Sequence, residues 1–469
     1  MPTAMTDQEF LRACADMGSD RLDGYSLYQD YYDGEHRSQL TERQKTYLQA
    51  AGFPFAENFC ETVVDLMVER MSVVGFDCGD NAALAEWCDD LWQRRKLDTV
   101  QGTVHNQAAI KGDAFVVVDV GPDLRPRVTW NPSHKVKVVY SSDGDEAEYA
   151  VKVWTTKTRS AANPAGKPIA RMNIYWPDRI ERWFSVVSEG DAGDASRNWW
   201  IPFAGDGEPW PVPWIDATGA PIGIPVIHFA NRPKGRRYGV SELRGVIPQQ
   251  DALNKQCLDL FDVLDHQGWP QRWATGINRE TSELTLAVGE MIWSASDTTK
   301  FGQFDPANPS GLLEAIEATL RRIAARSRSP MHLMLAGGNL PSGETLKTAE
   351  SPLVKKIEDR EGPLGDGHES VMAMSAKVDQ VFGRGEAPYD PENDTITTRW
   401  ENPESRNELE EVQVQEAEHR LGVSRDTILR KRGYDPDEER ELREGEQDDQ
   451  RKQDESFARM FDAGQLTEA

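Results

Sequence analysis

The sequence predicts an α+β fold, and two observations carry that prediction. Apolar residues recur at helical spacing at both ends of the chain, whereas the stretch from Ala114 to Trp210 switches to short β-branched and aromatic runs broken by turn dipeptides. Further along, two helical stretches of similar pitch flank a proline-bounded insert, a helix, small β module, helix arrangement.

The first seventy residues are expected to be helical. Phe59, Val63, Leu66, Met67 and Met71 follow the spacing of an amphipathic helix, with Gly75 expected to end it, and Ala82 to Lys96 forms a second helix carrying Trp87, Leu91 and Trp92. Short strands are predicted around Val116–Val118, Val136–Tyr140, Tyr149–Trp154 and Asn173–Trp176. Gly121-Pro122, Asn131-Pro132, Asp143-Gly144 and Pro177-Asp178 supply the turns between them. Most of the fourteen tryptophans lie in or beside this region, which fits either buried packing or a carbohydrate-binding face. Residues 186 to 225 read as loop.

A long helix is predicted from Val240 to Gln267. Val246, Gln250, Leu253, Cys257, Leu260 and Leu264 recur in alternating steps of four and three, a narrow seam suited to packing against a neighbouring helix. Pro248 belongs at a first turn or a kink. Residues 268 to 309 break the helical pattern and include the β-like Met291-Ile292-Trp293. Helix resumes at Ser310, an N-cap candidate, with Leu313, Ile316, Leu320 and Ile323 on one face. The loop from Met331 to Ser342 contains no Lys, Arg, Asp or Glu, and Gly337-Gly338 gives its backbone freedom. A long helix is predicted from there to Val381, bent near Pro352 and Pro363, then a strand from Thr395 to Trp400. Between Asp435 and Glu455 eleven acidic residues face four basic ones, the pattern of a solvated face or tail.

At 469 residues, 38% of them hydrophobic, the chain has material for two to four domains. No apolar run approaches the roughly 18 to 20 residues of a membrane span, and the first residues carry no secretory signal pattern, so synthesis in a cytoplasm is expected. The five cysteines are scattered and never form a C-x-x-C pair, the pattern of reduced structural thiols. A net charge of −26 argues against gripping nucleic acid by neutralising phosphates, although it suits a surface that passes close to DNA without sticking.

Enzyme motifs are wanting. Gly338 to Thr345 matches a phosphate-binding loop except that Glu344 stands where lysine must be, and a carboxylate there repels phosphate. Asp259, Asp262 and Asp265 share a helical spacing that fits a divalent ion or, more simply, a solvated stripe. Arg232, Lys234, Arg236 and Arg237 form a basic run. Arg321, Arg322, Arg326 and Arg328 put a basic stripe on the second helix of the pair, for which pairing with carboxylates is the plain reading. No catalytic residue, metal ligand or cofactor is assigned.

Five strings, in order along the chain, resemble the portal family of long-tailed double-stranded-DNA bacteriophages, especially those of actinobacteria. They are Tyr28 to His36; Asn58-Phe59 through Val74-Gly75-Phe76; Gly239 to Leu243 with Gln249 to Asn254; Ser342 to Leu346, in which Thr345 replaces the usual alanine; and Gly422 to Thr427. The resemblance implies a portal fold with a mixed α/β wing (1–239), a stem of two helices (240–267 and 310–328), a small β-containing clip (268–309), a tunnel loop with a long helix (329–384), and a helical crown with an acidic tail (385–469). It also implies a non-enzymatic ring of twelve subunits at one capsid vertex of the virion. The ring is expected to serve as the channel for DNA packaging and ejection. Its implied partners are the terminase motor, a head-completion adaptor, the major capsid and scaffold proteins and the passing duplex, with no membrane.

In these terms the stem seam comprises Val246, Leu253, Leu260, Leu264, Leu313 and Leu320. The tunnel loop comprises Met331, Leu333, Met334, Gly337, Gly338, Asn339 and Leu340, although Met331 to Leu335 also fits ordinary core. Trp269, Trp273 and Trp293 are the clip's docking candidates. Two other readings stay open on sequence: another virion structural protein, such as a capsid or tail subunit, and a carboxylate-dependent hydrolase.

Overall fold

The computed structural model describes residues 21–36, 46, 57–141, 146–156, 169–185, 200–205, 207–233, 237–268, 272–276, 298–303, 308–334, 343–404 and 420. Helix α1 (Arg21–Tyr32) and α2 (Phe59–Val68) come first. The Asn58 side chain caps α2 by accepting from the Cys60 amide at 3.1 Å, and Cys60, Val63, Val64 and Met67 form its buried face. The helix closes on Glu69, so Gly75 does not terminate it. Gly75 instead lies in strand β1 (Val73–Asp77), at an irregularity in its pairing with the late strand β13 (Thr397–Trp400). Its φ of +154° is one that L side chains rarely adopt, and a Cβ there would also push aside the Arg399 guanidinium, 2.6 Å away, so the irregularity favours glycine.

Helix α3 (Ala82–Arg94) follows as predicted. Helix α4 (Leu97–Lys111) was not legible in the sequence, because it is buried by polar as well as apolar side chains: Gln101, His105 and Lys111 are enclosed with Val104, Ala108 and Ile110. Strand β2 (Asp113–Val120) is the centre of a three-stranded antiparallel sheet, between β3 (Pro126–Asn131) and β10 (Val226–Ala230). Packed against α4 and the long helix α8 (Gly343–Phe382), it is buried from Asp113 to Val118, which is why Ala114 to Val118 is an unbroken apolar run rather than an alternation.

The second sheet is antiparallel and six-stranded. It comprises β4 (Val136–Tyr140), β5 (Ala147–Thr156), β6 (Ile169–Tyr175), β7 (Arg179–Ser185) and the short β8 (Ile201–Pro202), with β9 (Val212–Pro213) also on β7. Burial alternates through most of β6. Tyr149, Val151, Ala170, Met172, Ile174, Trp183 and Trp200 share one apolar cluster, so the buried-packing reading of these tryptophans holds.

A 3₁₀ turn (Glu242–Gly245) precedes α5 (Ile247–Gly268). Regular helix therefore starts later than the sequence indicated, with Pro248 in the first turn, where no amide donor is needed. At its far end a hairpin, β11 (Arg272–Thr275) with β12 (Lys300–Gln303), occupies the described part of the insert. The return helix α6 (Ser310–Ser327) begins at Ser310, but Asn308 accepts its amide and Pro309 stands at the cap, so Ser310 is not the N-cap. A single helical turn, α7 (Met331–Met334), precedes the 40-residue α8 (Gly343–Phe382), about 60 Å long at 1.5 Å per residue. Helix α8 continues through Pro352 and Pro363 without a break. Leu353, Ile357, Leu364, Val371 and Val378 form its inward stripe, in one cluster with α2, α4, β2, β10 and the bases of α5 and α6.

Candidate functional site

The paired helices α5 and α6 pack against each other, and Thr319 donates to Gln256 at 2.9 Å midway along the pair. The seam they share changes character along its length. At the base, Val246, Gln250, Leu253, Leu320 and Ile323 are buried in the chain's own core. Polar contacts clamp this base: Gln250 accepts from the Phe59 amide at 3.0 Å, Asn254 from the Glu57 amide at 3.0 Å, and Asp251 from the Tyr31 hydroxyl at 2.7 Å. Towards the tip the seam opens. Leu260 is half-buried, Leu264 is 43% exposed and Leu313 is 51% exposed. Phe261, Trp273 and Phe301 are exposed as well, and with Leu333 six of the nine exposed large hydrophobic residues described lie between 261 and 333.

Beneath the stem sits a buried charge cluster that the sequence did not reveal. Glu242, in the 3₁₀ turn, receives Arg360 Nε at 2.9 Å and Asn231 Nδ2 at 3.1 Å on one oxygen, and Lys356 Nζ lies 3.2 Å from the other. Burial alone would raise its pKa, but Lys356 and Arg360 outweigh it and hold the carboxyl at about 2. This cluster joins the base of α5 to α8, the two helices on either side of the α6–α7 return. Its one visible signal was the pair Lys356 and Arg360, one helical turn apart inside an apolar stripe.

The head of the predicted tunnel loop divides. Met334 is buried and belongs to the core, Met331 is half-buried, and Leu333 is 37% exposed. Gly337, Gly338, Asn339 and Leu340 lie outside the described residues, as do Trp269 and Trp293 of the insert. Trp273 is described, on β11. The arginine stripe pairs with carboxylates where pairs are seen: Arg321 with Glu317 on its own helix, Arg328 with Asp359 at 3.4 Å. Asp259 pairs with Lys255 at 2.7 Å on the surface, and no group of three potential metal ligands occurs among the described residues. In the basic run, Arg232 approaches Glu242 at 3.9 Å and Arg237 lies over Tyr140 at 5.4 Å; Lys234 and Arg236 lie outside the described residues.

A second buried contact ties α8 to α4. His105 and His368 meet Nε2 to Nε2 at 2.9 Å inside a cage of Trp92, Phe229 and Trp400. Because His105 Nδ1 faces the Met71 carbonyl at 3.2 Å, it carries the proton there, and Nε2 accepts from His368. Burial lowers the His105 pKa to about 4, and burial, then the neighbouring His105, lowers that of His368. Both groups are neutral when folded and take up protons more readily when unfolded. Stability is therefore full above the ordinary histidine pKa of about 6.5 and falls as pH drops towards 4. For His105 alone the loss reaches about 2 kcal/mol by pH 5. Urea midpoints at pH 7.5 and pH 5 should show it, and His105→Gln should flatten the dependence; an equally steep loss in that variant would mean other groups are responsible.

The family described as phage portal protein, SPP1 Gp6-like, matches residues 12–454. The chain belongs to this portal family. Two curated relatives agree. The portal protein of Mycobacterium phage L5 is 24% identical over 422 residues, covering 85% of this chain and 79% of its own. That of Mycobacterium phage D29 is 23% identical over 395 residues, covering 80% and 74%. Among solved structures, a chain from the neck of a native gene transfer agent particle computed with C12 symmetry aligns over 86% of this chain and 96% of its own. Its identity is 14% and its TM-score 0.43, a likeness too loose to add weight to the family match. As a portal family member the chain is a structural virion protein rather than an enzyme, a subunit of the ring at the capsid vertex. No helix among the described residues is long and apolar enough to cross a membrane.

Proposed function

We propose that twelve copies of this chain form the portal ring, with α5 and α6 as the stem around the DNA channel. In this reading residues 1–239 form the wing, 268–309 the clip, 329–384 the tunnel loop with its long helix, and 385–469 the crown and acidic tail. The clip docks the terminase motor during packaging and the head-completion adaptor afterwards. The outer parts of the ring meet the major capsid and scaffold proteins, and the chain is made in the host cytoplasm. The observation that carries the reading is the tip of the stem, where Phe261, Leu264 and Leu313 stand exposed on helices whose bases are fully packed. Apolar side chains gathered in one place on a single chain mark a surface that another copy covers.

Beyond the helical turn α7, the segment from Leu335 to Ser342 suits contact with moving DNA because it is uncharged and jointed at Gly337-Gly338. One packaging reaction, with purified motor and procapsids, tests both parts. Replacing residues 272 to 304 with a Gly-Ser linker should leave the wing folded and abolish motor capture. Gly337→Pro with Gly338→Pro should leave rings and procapsids intact while packaged DNA falls sharply. Undiminished motor capture with the first variant, or packaging at the wild-type level with the second, defeats the corresponding assignment.

A further inference from the structure

The six-stranded sheet has two unlike faces. One buries Tyr149, Val151, Met172, Ile174 and Trp183 in an apolar cluster. The other carries Lys152 and Trp154 on β5, Arg171, Asn173 and Tyr175 on β6, and Arg182 on β7. The strand register aligns these residues in rows: Lys152 opposite Asn173, Asn173 opposite Arg182, and Trp154 opposite Arg171. Across from them, Asp119 of β2 with Arg127 and Thr129 of β3 close a cleft of about 430 Å³.

Four cations and one carboxylate line this cleft, and with Glu208 beside Arg182 the local charge is still +2 on a chain whose net charge is −26. Two of the cations already have acidic partners: Arg127 grips Asp119 through two hydrogen bonds of 2.9 and 2.7 Å, and Arg182 meets Glu208 at 2.8 Å. The other two do not. Arg171 lies over the Phe203 ring at 4.8 Å and Lys152 over the Trp154 ring at 5.0 Å, and neither has a carboxylate partner among the described residues. Burial disfavours the charged form of Lys152, and Arg127 and Lys135 act in the same direction against Asp119. The aromatic faces hold both cations in place without neutralising them.

We propose that this cleft is a phosphate-binding site, in which Arg171 and Lys152 take the anion between them and Arg127 and Arg182 flank it. A multivalent, oxygen-rich anion fits better than a single carboxylate, because it can answer several cations at once and match the planar fork of an arginine. The volume accommodates a phosphate ester or short polyphosphate, whereas a duplex could offer only its backbone phosphates at the mouth. The shared chemistry is the phosphate group, whether from a free polyphosphate or from a nucleic-acid backbone.

Calorimetry on the full chain, at roughly 50 mM salt so that screening does not mask the contact, tests the proposal with two probes, sodium tripolyphosphate and a short DNA duplex. Tripolyphosphate should bind, and Lys152→Gln with Arg171→Gln should weaken it at least about tenfold, since two charge-assisted contacts are lost. A tryptophan fluorescence change on binding to the unaltered protein, in which Trp154 and Trp183 both line the cleft, supplies a readout that does not depend on the variant folding. Duplex competing for the same site identifies nucleic-acid phosphate as the source; failure to compete identifies free phosphate compounds. Absence of tripolyphosphate binding, or equal binding by the double variant, overturns the proposal.

Discussion

Glu242→Gln destabilises the chain by about 3–5 kcal/mol, the expected result of leaving Lys356 and Arg360 buried without their counter-charge. All three side chains are at most 7% exposed, so water cannot replace the lost carboxylate. Glutamine keeps the shape and one oxygen to accept from Arg360, so the loss isolates the charge rather than the volume. Urea unfolding of the variant measures it. A triple replacement, Glu242→Gln with Lys356→Met and Arg360→Met, should recover much of the stability, since no unpaired charge then remains inside. A single-variant loss below about 1 kcal/mol, within the range of an exposed ion pair, would show the cluster to be hydrated and structurally minor. The same carboxyl gives an acid dependence. Its folded pKa of about 2 lies below its unfolded value, so its stabilisation is present above about pH 4.5 and fades as pH falls towards 2.

Leu264→Lys with Leu313→Lys converts the ring into single chains that remain folded. Both leucines are exposed in the isolated chain, so lysine there costs its fold little. In a ring each would be covered by a neighbouring stem, where burying one leucine contributes about 1.5–3 kcal/mol and burying an unpaired ammonium costs several. The penalty repeats at every interface, so its effect on closure is cumulative. Sedimentation velocity and negative-stain microscopy read the outcome. Rings indistinguishable from wild type would mean that the stem tip is not an inter-subunit surface. Leu253→Lys is the contrasting control: Leu253 is 1% exposed in the chain's own core, and that variant should fail to fold rather than fail to assemble.

The elements legible in the sequence are those with a strong local period. Helices α2, α3, α5, α6 and α8 announce themselves by apolar residues at helical spacing, and β4 to β6 by short branched and aromatic runs between turn residues. Helix α4 escapes because His105 and Gln101 sit inside: their partners, His368 and the Val73 amide, lie on distant elements, so inward polar residues erase the apolar stripe. Strand β10 escapes although it is as long as β4, because it stands apart from the other strands in sequence and pairs with the distant β2. Gly75 misleads because a glycine after a helical run has the same local appearance whether it caps the helix or admits Arg399 beside a paired strand.

What the sequence alone determined is the class of the protein. The order of its helical, β and insert segments and five short strings pointed to the portal family, and the alternating four-and-three seam of α5 marked a helix that packs along its length. What only the tertiary structure decided is which half of that seam the chain keeps for itself. From Val246 to Leu253 it is buried against α2 and the rest of the core, while Leu264 and Leu313 stand open. The structure also decided that Glu242 meets Lys356 and Arg360, and that Lys152, Arg171, Arg127 and Arg182 converge on one cleft. The reason is physical. Helical and strand periods are properties of neighbouring residues, whereas burial and charge pairing depend on which distant segments the folded chain brings within a few ångströms.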